Sequence, residues 1–248
     1  MKPLLHAELI KLGTTRTFVA LVFAAVGISV LLTGLTAALT EPSEGSVLFD
    51  VFQSDTSGLF ILILAIVGIA GEWRHRTITS SLLAAPDRLR FLAAKTLAFA
   101  VAGVALSVLI SIAVAAVGFA VLEIRSLPTP DGGDLVDLYG RNALVAALGG
   151  AFGVGIGAVV RNQAIAIVGV LLLAFAVEPA LAALAPDIGR FGPIGALPTA
   201  VTDVDPEAAG QFEDVDLLAP GVALLLLLAW IGAAFAAGAA MLRVRDVD

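Results

Sequence analysis

The chain has 248 residues, of which 59% are hydrophobic and only 14% charged, with a formal net charge of −7 and a mean hydropathy of +1.02. Soluble domains carry about 25% charged residues, and no single water-soluble core of this length hides so much apolar surface, so lipid is the expected solvent. There is no cysteine, which excludes disulfides, thiolate metal sites and cysteine nucleophiles.

The N-terminal stretch "MKPLLHAELIKLGTTRT" is too polar to span a bilayer. Leu5, Leu9 and Leu12 recur at helical spacing, with Glu8 and Lys11 beside them. This predicts an amphipathic helix over residues 1–16, lying on the inner membrane surface. Two roles fit it: a charged anchor that sets topology, or a contact for a cytoplasmic partner.

Six apolar runs follow, each near the roughly 20 residues that a spanning helix needs. They are predicted at about 17–40, 51–71, 96–122, 140–160, 164–185 and 217–242. The first is too long for a signal peptide's apolar region. The second is strongest at Gly58–Gly71 and is extended back to Val51, which takes Gln53 and Asp55 into the span as candidate pathway or gate residues. The triplet Arg161-Asn162-Gln163 divides the fourth run from the fifth, because a charge at mid-bilayer costs about 3 kcal/mol or more.

In the fourth run, "GGAFGVGIGA" sets Gly149, Gly153 and Gly157 at four-residue spacing, a pattern that lets helices pack closely. Packing within the chain and a dimer interface both fit. In the fifth, "AFAVEPALAAL" places Glu178 before Pro179. The helix either ends there, with the carboxylate at the outer interface, or presents Glu178 to a wet cavity as a pathway or gate residue. Residues 180–216 are apolar but broken by Pro186, Gly192, Pro193, Gly195 and Pro198, and then turn acidic. Short elements re-entering the outer leaflet suit that pattern.

Six spans put both termini on one side. With the N-terminus inside, eleven of the fourteen Lys and Arg are cytoplasmic, as the positive-inside rule requires. Sixteen of the twenty-one Asp and Glu are then outside or near the outer ends. The net negative charge belongs to the outer face, and a nucleic-acid partner is not expected.

Chemistry is sparse. There is no Gly-x-x-x-x-Gly-Lys-Ser/Thr loop, no His-Glu-x-x-His and no Gly-x-Ser-x-Gly, and His6 and His75 lack partners at metal-ligand spacing. No catalytic or metal-binding residue is assigned.

The loop "GEWRHRTITSSLLAAPDRLRFLAAK" (Gly71–Lys95) joins the second and third spans on the inner side and carries five of the fourteen positive charges. Ile78, Leu82 and Ala85 share a helical face, Thr77 or Thr79 can cap its start, Pro86 ends it, and Asp87 can cap the helix that follows. A short apolar helix is thus set between two basic clusters, where a plain hairpin needs only a few residues.

This loop, the segment "AELIKLGTTRT" (Ala7–Thr17) and the six-span layout resemble the membrane-spanning permease subunits of type-2 ABC exporters. The shared pattern is Glu72…Arg76-Thr77-Ile78…Leu83…Pro86…Arg88…Lys95, with Arg76 where Gly is common. The resemblance implies an all-α bacterial plasma-membrane protein, with two permease chains, identical or paralogous, beside two separate ATP-binding subunits that carry the ATP and Mg. This chain would hold no cofactor of its own. The loop would be a coupling element that includes Thr77, with Ile78, Thr79, Leu82 and Leu83 seated in a groove of the ATPase and Glu72, Arg74, Arg76 and Arg88 positioning it. The competing classes are an immunity or sensor component that signals through its basic loop, and an intramembrane enzyme.

Overall fold

The computed structural model describes residues 2–74, 77, 87–203 and 212–244. Every regular element among the described residues is helical. In chain order these are α1 (Lys2–Thr14), α2 (Arg16–Leu39), α3 (Val47–Phe52), α4 (Ser57–Arg74), α5 (Arg88–Arg125), α6 (Gly132–Val160), α7 (Gln163–Leu172), α8 (Glu178–Leu184), α9 (Pro186–Gly189), α10 (Ala196–Thr202) and α11 (Pro220–Val244). Among the described residues six helical stretches are long and apolar enough to cross a membrane: Arg16–Leu39, Val47–Arg74, Arg88–Arg125, Gly132–Val160, Gln163–Leu184 and Pro220–Arg243. The chain is a multi-pass membrane protein.

The boundaries are longer than hydropathy suggests, because caps carry helices past their apolar parts. Asp87 accepts from the backbone N–H groups of Leu89 and Arg90, both at 3.1 Å, and starts α5 a full two turns before Thr96. Asp131 does the same for α6 through Gly133 N, at 2.7 Å. Between the fourth and fifth spans, Arg161 turns left-handed (φ 57°) and Asn162 accepts from Ile165 N at 3.1 Å. Two residues therefore separate α6 from α7, at the triplet expected to divide them.

One expectation needs correction, and one open alternative is decided. The second span is not one helix, because residues 53–56 interrupt it between α3 and α4. The fifth helix does not end at Glu178. A π-helical turn at Leu173–Val177 leads straight into α8, with the Glu178 N–H bonded to Leu173 O. Widening the turn before Pro179 accommodates a ring that cannot donate and would otherwise crowd the carbonyl one turn back.

The centre of the molecule is α6, packed on α4, α5 and α11. Small residues make each approach possible, and the three glycines of the four-residue series all face α4 within the chain. A Cβ on Gly149 would stand 2.7 Å from Gly58 O, one on Gly153 would strike Leu62 O, and one on Gly157 would strike the Ile69 side chain. Gly150 and Gly103 bring α6 against α5, and Gly155 and Gly238 bring it against α11. In lipid, where apolar contact alone gives no net drive, such close packing holds helices together. Phe52 of α3 fits over Gly118 of α5 and packs on Phe119, with ring centroids 5.1 Å apart.

Gly153→Leu is expected to lower the thermal midpoint in detergent sharply, since overpacking costs about 1–3 kcal/mol or more. Gly140→Leu, at a position with open space, should leave it nearly unchanged. Thermal unfolding followed by size-exclusion chromatography measures both.

Candidate functional site

Two polar sites are built into this apolar frame. The first joins α1 to the ends of α4 and α5. Leu5, Leu9 and Leu12 of α1 are half-buried, as their stripe predicts, but the most buried residue of the helix is Glu8, at 7% exposure. Its partner is Lys95, only 2% exposed. Lys95 Nζ lies 2.6 Å from Glu8 Oε2 and 2.9 Å from Glu72 Oε1, and also donates to Gly68 O at 3.4 Å. Lys11 closes the ring from the solvent side, 2.7 Å from Glu8 Oε1 and 3.5 Å from Glu72 Oε1.

Two lysines face two carboxylates, so the cluster is neutral as a whole. The bonds of buried Lys95 dominate, because the half-exposed Lys11 is screened by water. Burial alone would raise the Glu8 carboxyl, but the Lys95 charge and the hydrogen bonds from Lys11 and Lys95 outweigh it and hold the group below its ordinary range. Burial likewise lowers Lys11, and its bonds and charge pairing with Glu8 and Glu72 reverse this, so it ends raised. Both shifts favour the charged forms of Glu8 and Lys11.

A cavity of about 680 Å³ opens beside it, lined in part by Glu8, Lys11, Glu72, Arg74, Thr77 and Lys95. Arg74 is exposed at the end of α4, and the Thr77 N–H reaches Glu72 O at 2.9 Å. Arg88 donates to Leu242 O, and Arg161 to Met241 O at 2.8 Å while lying 3.9 Å over the Trp73 ring. These two arginines satisfy carbonyls at the C-terminal end of α11 that have no partner within the helix. Arg76, Ile78, Thr79, Leu82 and Leu83 lie outside the described residues.

The second site surrounds the break at residues 53–56. From Lys95 to Ser107, α5 rises about 18 Å, more than half of a hydrocarbon layer of about 30 Å. At that depth Ser107 donates to Asp55 Oδ2 at 2.6 Å, while Asp55 Oδ1 caps α4 through Ser57 N at 2.7 Å. Thr56 is held by Ser29 of α2, hydroxyl to hydroxyl, at 2.9 Å. Gln53 and Asp55, both singled out in the sequence, thus share one wall of a cavity of about 360 Å³, with Asn142 of α6 on another.

Glu178 is 1% exposed and does not line that cavity. Its carboxylate accepts from Ile194 N at 3.0 Å and Gly195 N at 2.6 Å, against the bare faces of Gly192 and Gly195. It fastens the turn that presents Pro193, Ile194, Pro198 and Thr199 to the cavity. Glu178 is a prop for the wall, buried in protein.

Sequence reasoning counted Lys95 as a topology charge and as the last residue of the loop pattern, gave it no partner, and did not find Asn142. For Lys95 a signal was present: Phe91, Leu92, Ala98 and Phe99 put it on the buried face of α5 at helical spacing. Glu8, equally, sits inside the Leu5, Leu9, Leu12 stripe. Asn142 follows Arg141 at the polar start of α6 and carries no such signal.

Compared with protein-family models the chain matches none, and comparison with curated proteins gives no match either.

Lys95→Met leaves two buried carboxylates against Lys11 alone and is expected to destabilise by about 3–5 kcal/mol. Adding Glu8→Gln and Glu72→Gln should recover most of that loss in thermal unfolding. In the intact protein, a spin label on Ala7→Cys should stay immobile at neutral pH. It should become mobile only as pH falls below the ordinary carboxylate range, through the depressed Glu8 value; release near neutral pH would contradict the ion-pair assignment.

Proposed function

We propose that the chain is the membrane-spanning permease subunit of an ATP-driven ABC exporter of the type-2 class, seated in the plasma membrane with both termini cytoplasmic. In this reading the segment Gly71–Lys95 is the coupling loop. ATP and Mg sit on a separate ATP-binding subunit, and a second permease chain completes the pathway. The short helices α9 and α10 belong to a re-entrant outer segment before the last span.

One observation carries the proposal: both flanks of the loop and the N-terminal helix are fastened at a single point by Lys95, Glu8 and Glu72. A force applied to the loop by a docked ATPase reaches α4 and α5 directly, and α1 through the same ion pairs. Such a joint suits a loop that transmits motion and is superfluous in a loop that only reverses the chain. Ile78, Thr79, Leu82 and Leu83 supply the apolar docking face, and dimerisation of the ATPases on ATP would tilt the spans between inward- and outward-facing states. The unoccupied acceptor and donor groups around Asp55 lie farther along the same bundle, where a pathway would run.

The test is copurification with a candidate ATP-binding subunit coexpressed with this chain. Leu82→Asp with Leu83→Asp should abolish copurification and stimulation of ATP hydrolysis while leaving the protein monodisperse. Undiminished copurification and stimulation would overturn the docking assignment. A reporter fused after Asp248 should be active only on the cytoplasmic side.

A further inference from the structure

We propose that the cavity around Asp55 is a binding site for an amphipathic amine: a molecule with an apolar body and a protonated amine next to a hydrogen-bond acceptor. That the occupant is cargo rests on the permease reading; the site itself does not.

The cavity combines one charge with a mostly apolar wall. Asp55 is the sole ionisable side chain among its lining residues, and no Lys or Arg lines it. The nearest arginine in sequence to Asn142, Arg141, is occupied elsewhere, 2.7 Å from Asp137 and 3.3 Å from Asp203. Asp55 accepts from Ser107 and from Ser57 N. The Ser57 hydroxyl bonds to it as well. A carboxylate has about four lone-pair sites, so some acceptor capacity is left, and among the described residues its charge meets no cation. A carboxylate at this depth is costly unless paired.

Two neutral groups complete the recognition pattern. Asn142 is 7% exposed, and its Nδ2 has no partner. Gln53 Oε1 is likewise buried without one. Both line the same cavity. Buried polar groups are nearly always satisfied, so orphaned ones on two residues that line one cavity point to an occupant. Asp55 and Gln53 call for donors, one of them positive, and Asn142 calls for an acceptor. Leu59, Leu62, Val145, Phe152 and Phe175 line the remainder and suit an alkyl or aromatic body.

The backbone agrees. Helix interruptions at membrane depth survive where they line a cavity or are buried in protein, and substrate sites of many transporters form at such breaks. Here the N-terminus of α4 is already capped by Asp55, so the helix end attracts no anion. The negative carboxylate decides the sign of the ligand.

The probe is N-dodecylethanolamine, titrated calorimetrically into the full chain in lipid nanodiscs, with empty nanodiscs subtracted. Dodecanol and dodecanoate have the same tail with neutral and negative heads. Saturable binding of the amine is expected, with dodecanol weaker and dodecanoate absent. Asp55→Asn should weaken the amine by about tenfold or more, as loss of a charged hydrogen bond does, and Asn142→Leu should weaken it severalfold. No saturable heat, equal binding of dodecanol or dodecanoate, or an unchanged affinity in Asp55→Asn would overturn the proposal. If Asp55→Asn does not elute as a single folded species, Asn142→Leu and Gln53→Leu decide in its place, and unchanged affinity in both overturns it. No ATPase is present in this experiment. An empty cavity therefore leaves the permease reading standing, and failed copurification leaves the binding site standing.

Discussion

The backbone of α6 touches the backbones of α4, α5 and α11, and the other parts of the fold hang on that contact. Lipid tails are as apolar as leucine, so helices in a membrane gain little by merely covering one another. They gain by approaching until dispersion contacts are dense, which requires a side with no side chains. Helix α6 has such a side toward each of three neighbours, through Gly153, Gly150 and Gly155. The composition rich in alanine and glycine and poor in aromatics is the sequence expression of this constraint.

Once the bundle is set, polar groups have few places to go. At one end, ionised residues collect where water is near and satisfy helix termini: Arg88 and Arg161 on the last carbonyls of α11, Asp87 on the first amides of α5. In the interior they must find partners within the protein. Lys95 finds two carboxylates, Glu178 finds two backbone amides, and Asp55 finds a serine and a helix start. The three are chemically similar burials with different outcomes. The first two leave little capacity spare, and the third retains some beside a cavity.

The spans were legible because apolar length and charge interruptions are local signals. Arg161-Asn162-Gln163 marked its turn by composition alone. The cap Asp131 was less visible, and the hydropathy window cut α6 short as a result, whereas α5 starts at Asp87, the cap its sequence offered. The break at residues 53–56 was read as helix, since Gln53, Ser54 and Asp55 look like tolerated polar residues within an apolar run; only the hydroxyls of Ser29 and Ser107, distant in sequence, show why the chain opens there. Gln53 and Asp55 were found as unusual polar residues within a span. Their companion Asn142 was not, because its burial depends on how α6 faces α4. Glu178 was noticed for the same reason as Asp55, yet the turn it holds is formed by glycines fourteen and more positions later.

One connection has mechanical weight beyond its size. Thr15 alone separates α1 from α2, so α1 cannot shift without imposing a torque on α2. At the near end α1 is bolted to α5 through Glu8 and Lys95. At the far end Arg125 of α5 grips the last carbonyls of α2, Ala37 O at 2.7 Å and Thr40 O at 2.6 Å. Helix α2 is about 36 Å long, and even a tilt of about 5° about Thr15 would swing its far end by about 3 Å, enough to break both of those bonds. Helices α1, α2 and α5 thus form a closed truss that resists scissoring. Any rearrangement of the bundle that keeps these joints must carry the three as one rigid piece and place its hinge elsewhere.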